Sequence, residues 1–210
     1  MDLQNRGVKM VRRFWVLLLI VLTGCGLNTT RRILPVADQD VAVLPRTRGA
    51  VVTKTFEGRS GGVSFVVVPL ERVKEMDAFG ILIVNETSNW ISFKKENIML
   101  IQSGEARYPT SDTQVYSRLG GGHKPSMPNE LNADIYYDWR PSVNTMVSRG
   151  FQIVDEEKKL SVMGGTKEKI FLYFKTRDDT SPMQLIIPSV YNEATEQRLR
   201  FSFKFAIEEK

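Results

Sequence analysis

The chain has 210 residues, of which 42% are apolar and 25% charged, an ordinary composition for one globular domain with or without a tail. Residues 1–24 hold four of the 29 basic and one of the 24 acidic residues, so the remainder carries 25 basic and 23 acidic residues, a net charge of about +2. Without a clustered basic excess, we expect no nucleic-acid partner. One cysteine and one histidine exclude an intrachain disulfide, a multi-cysteine zinc cluster and a paired-histidine site, so we expect no metal and no cofactor.

The first 24 residues have the pattern of a signal peptide. A basic stretch ends at Arg12 and Arg13, and an uninterrupted apolar run of nine residues follows over positions 14–22. Nine residues of helix span about 13–14 Å, whereas the apolar core of a bilayer is about 30 Å thick. The run is therefore too short to stay as a transmembrane helix and is typical of a signal-peptide core. A twin-arginine export signal is the alternative, although the residues around the arginine pair fit it poorly.

The four residues after the apolar core begin with Leu22 and end with the only cysteine of the chain, with Thr23 and Gly24 between them. They resemble the lipobox of bacterial lipoproteins. The resemblance implies cleavage before Cys25 and attachment of diacylglycerol to its thiol, and two or three acyl chains anchor a protein durably. The next residue is Gly26 rather than aspartate, which by the same resemblance implies the outer membrane, facing the periplasm.

Residues 25–48 show no persistent helical or alternating pattern. Pro35 and Pro45 interrupt the segment, and polar residues fill much of the remainder. These features predict a flexible, partly extended tether that holds a domain away from the bilayer. Arg31 and Arg32 either contact anionic lipid headgroups or are simply solvated.

From Gly49 onward the sequence predicts short strands separated by turns. Apolar, β-branched and aromatic runs mark the strands, and clusters of polar residues, glycine and proline mark the turns. The predicted turns cover residues 85–89, 103–105 (a hairpin) and 177–182. The predicted strands cover residues 50–56, 62–70, 78–84, 90–93, 98–101, 170–174, 183–188 and 199–207.

The last predicted strand alternates clearly between apolar and polar residues. Arg200, Ser202, Lys204 and Ala206 would lie on its wet face, because side chains of a strand point alternately to the two sides. With no long helical pattern elsewhere, we expect residues 49–210 to form an all-β, antiparallel β-sandwich.

A longer stretch resembles a known family. Residues 79–108 follow the order of an apolar strand, a polar turn, an aromatic strand and a hairpin, and residues 164–174 have the pattern of a penultimate strand. This order resembles the immunoglobulin-like, telokin-like extracellular modules of bacterial lipoproteins, over about residues 78–207. The resemblance implies an immunoglobulin-like sandwich with a binding or structural role and no catalytic residues to carry over. Residues 116–148 depart from a minimal module.

That departure, residues 116–148, is predicted to be an irregular insertion. The glycines at 120–122 and three prolines disfavour a regular helix or central strand across most of it, although residues 129–139 have the composition of a short helix. The glycine run lacks the spacing of a phosphate-binding loop. His123, beside it, is expected to lie on an exposed loop rather than to act as a base.

Within the insertion, residues 135–141 combine three aromatic side chains with an arginine. Tyr136, Tyr137, Trp139 and Arg140 have the composition of interface hot spots. Three interpretations stay open: a patch for docking another protein, a platform for stacking a carbohydrate, or the insertion's own core.

Two acidic clusters, at residues 155–157 and 178–179, are expected to be solvated turns, since adjacent acids on a strand point to opposite faces. The sequence therefore predicts a non-enzymatic, lipid-anchored envelope protein that binds another envelope protein. The alternative is a ligand- or glycan-binding lipoprotein that uses residues 135–141. An envelope hydrolase is disfavoured because a single histidine leaves few groups for catalysis.

Overall fold

The computed structural model describes residues 31–120, 126–131 and 159–209. Residues 32–208 form one compact unit, and the architecture below is that of this unit. It is mostly β, with 56% of the described residues in strands. The described residues also include one α-helix, α1 (Asp112–Leu119), and two short 3-10 turns, at Lys95–Asn97 and Asn129–Leu131.

Twelve strands are present in the described residues. They are Arg31–Val36 (β1), Ala42–Leu44 (β2), Gly49–Lys54 (β3), Val63–Pro69 (β4), Met76–Asn85 (β5), Ile91–Lys94 (β6), Met99–Gln102 (β7), Glu105–Arg107 (β8), Lys159–Val162 (β9), Thr166–Lys175 (β10), Met183–Asn192 (β11) and Arg198–Glu209 (β12).

These strands form two packed antiparallel sheets, which confirms the predicted β-sandwich. The five-stranded sheet has the order β10-β5-β4-β3-β2. The seven-stranded sheet has the order β1-β12-β11-β6-β9, and β7 also pairs with β11 and carries β8 on its other side.

The main core lies between the two sheets, and β12 shows how the sequence builds it. Phe201, Phe203 and Phe205 are fully buried, whereas Arg200 and Lys204 are exposed on the opposite face. The predicted alternation of this strand is therefore confirmed. Burial of one such side chain contributes about 1.5–3 kcal/mol.

Aromatic contacts between the two sheets add to that burial. The rings of Phe65 and Phe201 have centroids 4.6 Å apart, and those of Phe79 and Phe205 are 5.4 Å apart. Each pair joins a strand of the five-stranded sheet to β12, and both have tilted geometries of the kind that aromatic rings favour. These contacts join the two sheets at two points within β12.

The segment predicted as a tether differs from expectation. Within residues 25–48 the structure has β1 and β2, so the sandwich begins before Gly49. Ile33 packs against the main core, and Val41 is 6% exposed. These two strands were not predicted from the sequence because they are short and because β1 contains Pro35. Proline is tolerated there since β1 lies at the edge of its sheet.

The strand predicted to stop at Pro188 is also longer than expected, because β11 continues to Asn192. Pro188 lacks a backbone N–H and so cannot donate a ladder hydrogen bond. It lies in the register shift between Ile187 and Val190, where the pairing of β11 with β12 is interrupted. The proline therefore occupies an irregularity inside the strand rather than its end.

The hairpin predicted at residues 103–105 is confirmed. Gln102 pairs with Glu105, which leaves Ser103 and Gly104 as a two-residue loop between β7 and β8. Their φ angles are 52° and 78°. Positive φ at both positions is the mark of a type I′ turn, whose twist matches that of the flanking strands.

Helix α1 was not predicted, and its second half, residues 116–119, lies at the start of the predicted 116–148 insertion. Ser111 caps its first turn, because the Ser111 side chain accepts a hydrogen bond from the backbone N–H of Gln114. Only Val115 of the helix is buried, so the apolar pattern is weak. Among the described residues, no helix combines the length and the apolarity needed to cross a membrane.

Candidate functional site

The site residues singled out in the sequence lie outside the described residues. These are the lipidation residue and the four side chains of the aromatic segment: Cys25, Tyr136, Tyr137, Trp139 and Arg140. The signal peptide at residues 1–24, His123 and the acidic run at 155–157 lie outside as well. All of these stay predictions. Three features that the sequence did not indicate are visible in the described part of the chain.

The first feature is an apolar layer on the outer face of the five-stranded sheet. Both faces of β5 are buried, because Val115 of α1 and Met127 pack on its outer side with Phe171 and Tyr173 of β10. Gly80 makes room for this contact, since a Cβ there would lie 3.0 Å from Cγ of Met127. Helix α1 and the described part of the insertion therefore cover a sheet face that would otherwise be exposed.

A cavity of about 520 Å³ opens beside this layer. Its size is within the usual range of small-ligand pockets, about 300–1,000 Å³. The β2–β3 loop, the end of β4 with the residues after it, β5, β10 and the insertion all contribute to its wall. The lining residues are Arg46, Thr47, Arg48, Val68, Pro69, Leu70, Glu71, Val73, Ala78, Ser126, Met127, Pro128 and Tyr173.

The polar side of the cavity comes from the β2–β3 loop. Leu44 pairs with Gly49, so residues 45–48 form a four-residue connection in which Arg48 has a φ of 54°. Gly49 lets the loop approach β4, because a Cβ there would lie 3.1 Å from Cγ2 of Val68. Thr47 is consequently only 8% exposed, and its Oγ1 has no hydrogen-bond partner among the described residues.

Tyr173 closes the apolar side of the cavity. The residue is 1% exposed, and burial raises the pKa of its phenol, with a further increase from the charge of Asp112. The hydroxyl therefore stays protonated at physiological pH and can donate a hydrogen bond.

The second feature is an exposed apolar pair at one end of the seven-stranded sheet, here called the Trp90–Met163 patch. Ile91 pairs with Val162, so Trp90 and Met163 follow at the next cross-strand position. Their exposed fractions are 50% and 49%. Directly opposite residues share a face of the sheet and have neighbouring side chains.

A buried asparagine holds the backbone next to this patch. The Nδ2 of Asn85 donates to the carbonyl of Asn89, at 2.8 Å, and to that of Val162, at 3.0 Å. These are the residues immediately before Trp90 and Met163. Because Asn85 is fully buried, the backbone next to Trp90 and the backbone next to Met163 are both hydrogen-bonded to one buried side chain.

The third feature is a buried polar network around Arg107. Its Nη1 lies 3.3 Å from Oδ2 of Asp77 and also donates to the carbonyl of Lys175, and its Nη2 donates to Oε1 of Gln102 at 2.6 Å. The Oγ1 of Thr176 donates to the other oxygen of Asp77, at 3.2 Å. Asp77 is 1% exposed. The network links both sheets, because Asp77 belongs to the five-stranded sheet whereas Gln102 and Arg107 belong to the seven-stranded one.

The network continues to the turn that holds Asp179. Gln102 donates to the Asp179 carbonyl at 2.9 Å, and Ser103 donates to the Asp179 carboxylate at 2.8 Å. The hydrogen bond from Ser103, followed by that from the backbone N–H of Ser181, lowers the pKa of Asp179 to about 2. A hydrogen bond with the Ser181 side chain also lowers this pKa, burial raises it, and the charge of Arg177 has the smallest lowering effect.

This lowered pKa predicts a pH-dependent contribution of Asp179 to stability. The pKa of an unfolded aspartate is about 3.9, so the folded carboxylate stabilises the protein above that pH and loses its contribution as the pH falls towards about 2. We expect the difference in melting temperature between the wild type and Asp179→Asn to shrink between pH 5 and pH 2.5. A difference that stays constant over this range would contradict the assignment.

Within the described ranges, no group of three or more His, Cys, Asp or Glu side chains is placed to hold a metal ion. Comparison with known proteins identifies no relative: no protein-family model matches the chain, and no curated protein or solved structure matches it either.

Proposed function

We propose that this protein is a lipid-anchored, non-enzymatic module of the bacterial cell envelope that binds another envelope protein, at the outer membrane on the periplasmic side. The anchor rests on the sequence, through Cys25 and the signal-peptide pattern before it. The observation that carries the binding role is the Trp90–Met163 patch, half exposed and fixed to the sheet.

The composition of the patch supports a protein partner. Tryptophan is enriched among interface residues that dominate binding energy, and methionine adapts its shape to a partner's surface. The backbone of Trp90 is further held by the N–H of Glu193, which donates to its carbonyl at 3.0 Å. A surface already rigid before binding loses little conformational entropy in the complex.

The short connection to the anchor supports a partner at the membrane. Five residues, 26–30, separate Cys25 from the first residue of β1. A fully extended chain covers at most about 3.3–3.6 Å per residue, which limits the reach between these points to about 20 Å. Confinement at that distance raises the local concentration of another membrane-bound protein, so a weak contact is sufficient.

The test compares matched variants of the full, membrane-anchored protein in its native cells. We expect crosslinking and affinity purification to recover one envelope protein with the wild type. The recovered amount of that protein should fall by about tenfold or more with Trp90→Ala and with Met163→Ala, since hot-spot truncations cost about 2 kcal/mol or more. Tyr108→Ala is the control, because Tyr108 is 58% exposed and lies outside the patch.

Either of two outcomes contradicts the proposal. One is that no protein is recovered specifically with the wild type. The other is that Trp90→Ala and Tyr108→Ala recover the same amount of the same protein. Melting temperatures of the variants show whether a loss of recovery reflects the patch or the fold.

A second candidate function is the binding of a small ligand. The specific observation in its favour is the cavity beside Thr47. This role does not exclude the first, since the cavity lies against the five-stranded sheet and the patch lies on the seven-stranded one.

A further inference from the structure

We propose that Met163 is a site of reversible oxidation, and that its conversion to the sulfoxide weakens the binding of a protein partner at the Trp90–Met163 patch. The inference rests on the proposed function, because it describes how binding at that same patch is regulated. The oxidant is a peroxide that transfers one oxygen atom, and hydrogen peroxide is the simplest of this class.

Met163 is the most exposed methionine among the described residues. Its exposed fraction is 49%, whereas Met76, Met127 and Met183 are only 1%, 3% and 1% exposed, and Met99 is partly buried. The three buried methionines belong to the two core clusters, which shield their sulfur atoms from solvent. A dissolved oxidant must reach the sulfur to react, so a dilute peroxide is directed to position 163 in this part of the chain.

The oxidation is a two-electron oxygen transfer. A lone pair on Sδ of Met163 attacks one oxygen of the peroxide, so that the S–O bond forms and the O–O bond breaks. The other oxygen takes the proton of the transferred oxygen and leaves as water, which oxidises the sulfur and reduces the peroxide by two electrons. Thiol-dependent reductases reverse the change, because two thiols become a disulfide and the sulfoxide oxygen leaves as water.

The backbone at position 163 is held without the methionine side chain. The Met163 carbonyl accepts hydrogen bonds from the backbone N–H and from Oγ1 of Thr166, at 3.2 and 2.7 Å. Gly164 packs against the loop that leads to Trp90, since a Cβ there would lie 2.6 Å from the carbonyl carbon of Ser88. Oxidation of an exposed side chain on this fixed turn therefore changes the surface and leaves the fold intact.

The sulfoxide changes the chemistry of the patch, because it replaces an adaptable apolar group by a polar one. Trp90 follows at the cross-strand position opposite Met163, so a partner that covers the indole ring also covers the sulfur. That partner must remove water from the new oxygen, which weakens binding by about tenfold or more where the oxygen stays unpaired. The proposed anchor places the patch in an oxidising compartment, where such a change can occur.

The first measurement is the rate of oxidation at each methionine. The full mature protein, held in phosphatidylcholine nanodiscs, is treated with hydrogen peroxide, and the gain of one oxygen is followed by mass spectrometry of its peptides. We expect Met163 to be oxidised at least about tenfold faster than Met76, Met127 and Met183. Comparable rates at these four positions overturn the proposal.

The second measurement is the recovery of the partner. Untreated protein, protein oxidised at Met163, and oxidised protein repaired with methionine sulfoxide reductases are each crosslinked with the same membranes from native cells. We expect the amount of the recovered envelope protein to fall by about tenfold on oxidation and to return on repair. Met163→Leu is the matched control, because leucine keeps an apolar side chain of similar volume without the sulfur. Its recovery of the partner should be the same before and after peroxide treatment.

The outcomes separate this inference from the proposed function. Undiminished recovery after oxidation of Met163, or an equal fall with Met163→Leu, overturns the inference and leaves the proposed function standing. Recovery of no protein with the untreated wild type contradicts the proposed function and this inference with it. Equal melting temperatures before and after oxidation assign the loss of recovery to the patch, whereas a melting temperature that falls with oxidation of Met163 overturns that assignment.

Discussion

Asp77→Ala is expected to lower the free energy of unfolding by about 3–5 kcal/mol, because removing one member of a buried ion pair leaves the other charge buried without compensation. Asp77 is 1% exposed, and the side chain of its partner Arg107 is 13% exposed. The substitution also removes the acceptor of Thr176. Equilibrium urea unfolding of the full chain, followed by circular dichroism, measures the change.

Glu105→Ala is the matched control for this prediction. Glu105 forms an ion pair with Arg177 in the same part of the fold, but its side chain is 70% exposed. Exposed pairs contribute about 0–1 kcal/mol, so this change should be small. Comparable losses in the two variants would show that the Asp77–Arg107 pair is not the buried link between the sheets that we describe.

Cys25→Ser is expected to abolish membrane attachment, the largest functional effect of any single substitution considered. The hydroxyl of serine cannot take the place of the thiol as the lipid acceptor, and the proposed anchor has no second lipid-attachment cysteine because the chain contains only one. Fractionation of cells that express the variant should move the protein out of the membrane pellet, and its leader should remain uncleaved.

Ser103→Ala is a suitable control for the fractionation. It removes a hydroxyl from an exposed hairpin loop without touching the leader, and the protein should stay in the membrane fraction with its leader cleaved. Retention of Cys25→Ser in that same fraction, with normal cleavage, would refute the lipid anchor.

The sandwich was predictable because its strands carry their own pattern. In β12 the alternation of phenylalanine with polar residues directly encodes which face is buried. In β4 a β-branched run between Gly62 and Pro69 marks both ends. The two-residue turn at Ser103 and Gly104 is equally local, since glycine readily adopts the positive φ that it requires.

Other elements were missed because their stability comes from contacts with distant parts of the chain. β2 has only three residues, and it is a strand because β3 offers a ladder of hydrogen bonds. Helix α1 buries one side chain, so its one local signal was the capping Ser111 before Asp112. The short length of both elements leaves too few residues for a period to be recognised.

The candidate sites depend even more on the tertiary fold. The cavity brings together Thr47, Val73 and Met127, which are far apart in the sequence. The patch needs the pairing of β6 with β9, which lie on either side of the whole insertion, before Trp90 and Met163 become neighbours. A single sequence contains no signal for either arrangement.

The claim on which the proposed role most directly depends is the modification of Cys25. Intact-mass spectrometry of the mature protein extracted from native membranes tests it. We predict a chain that begins at Cys25 and carries the added mass of a diacylglyceryl group, with or without a further acyl chain on its amino group. A chain that still begins at residue 1, with an unmodified thiol at position 25, would contradict the account.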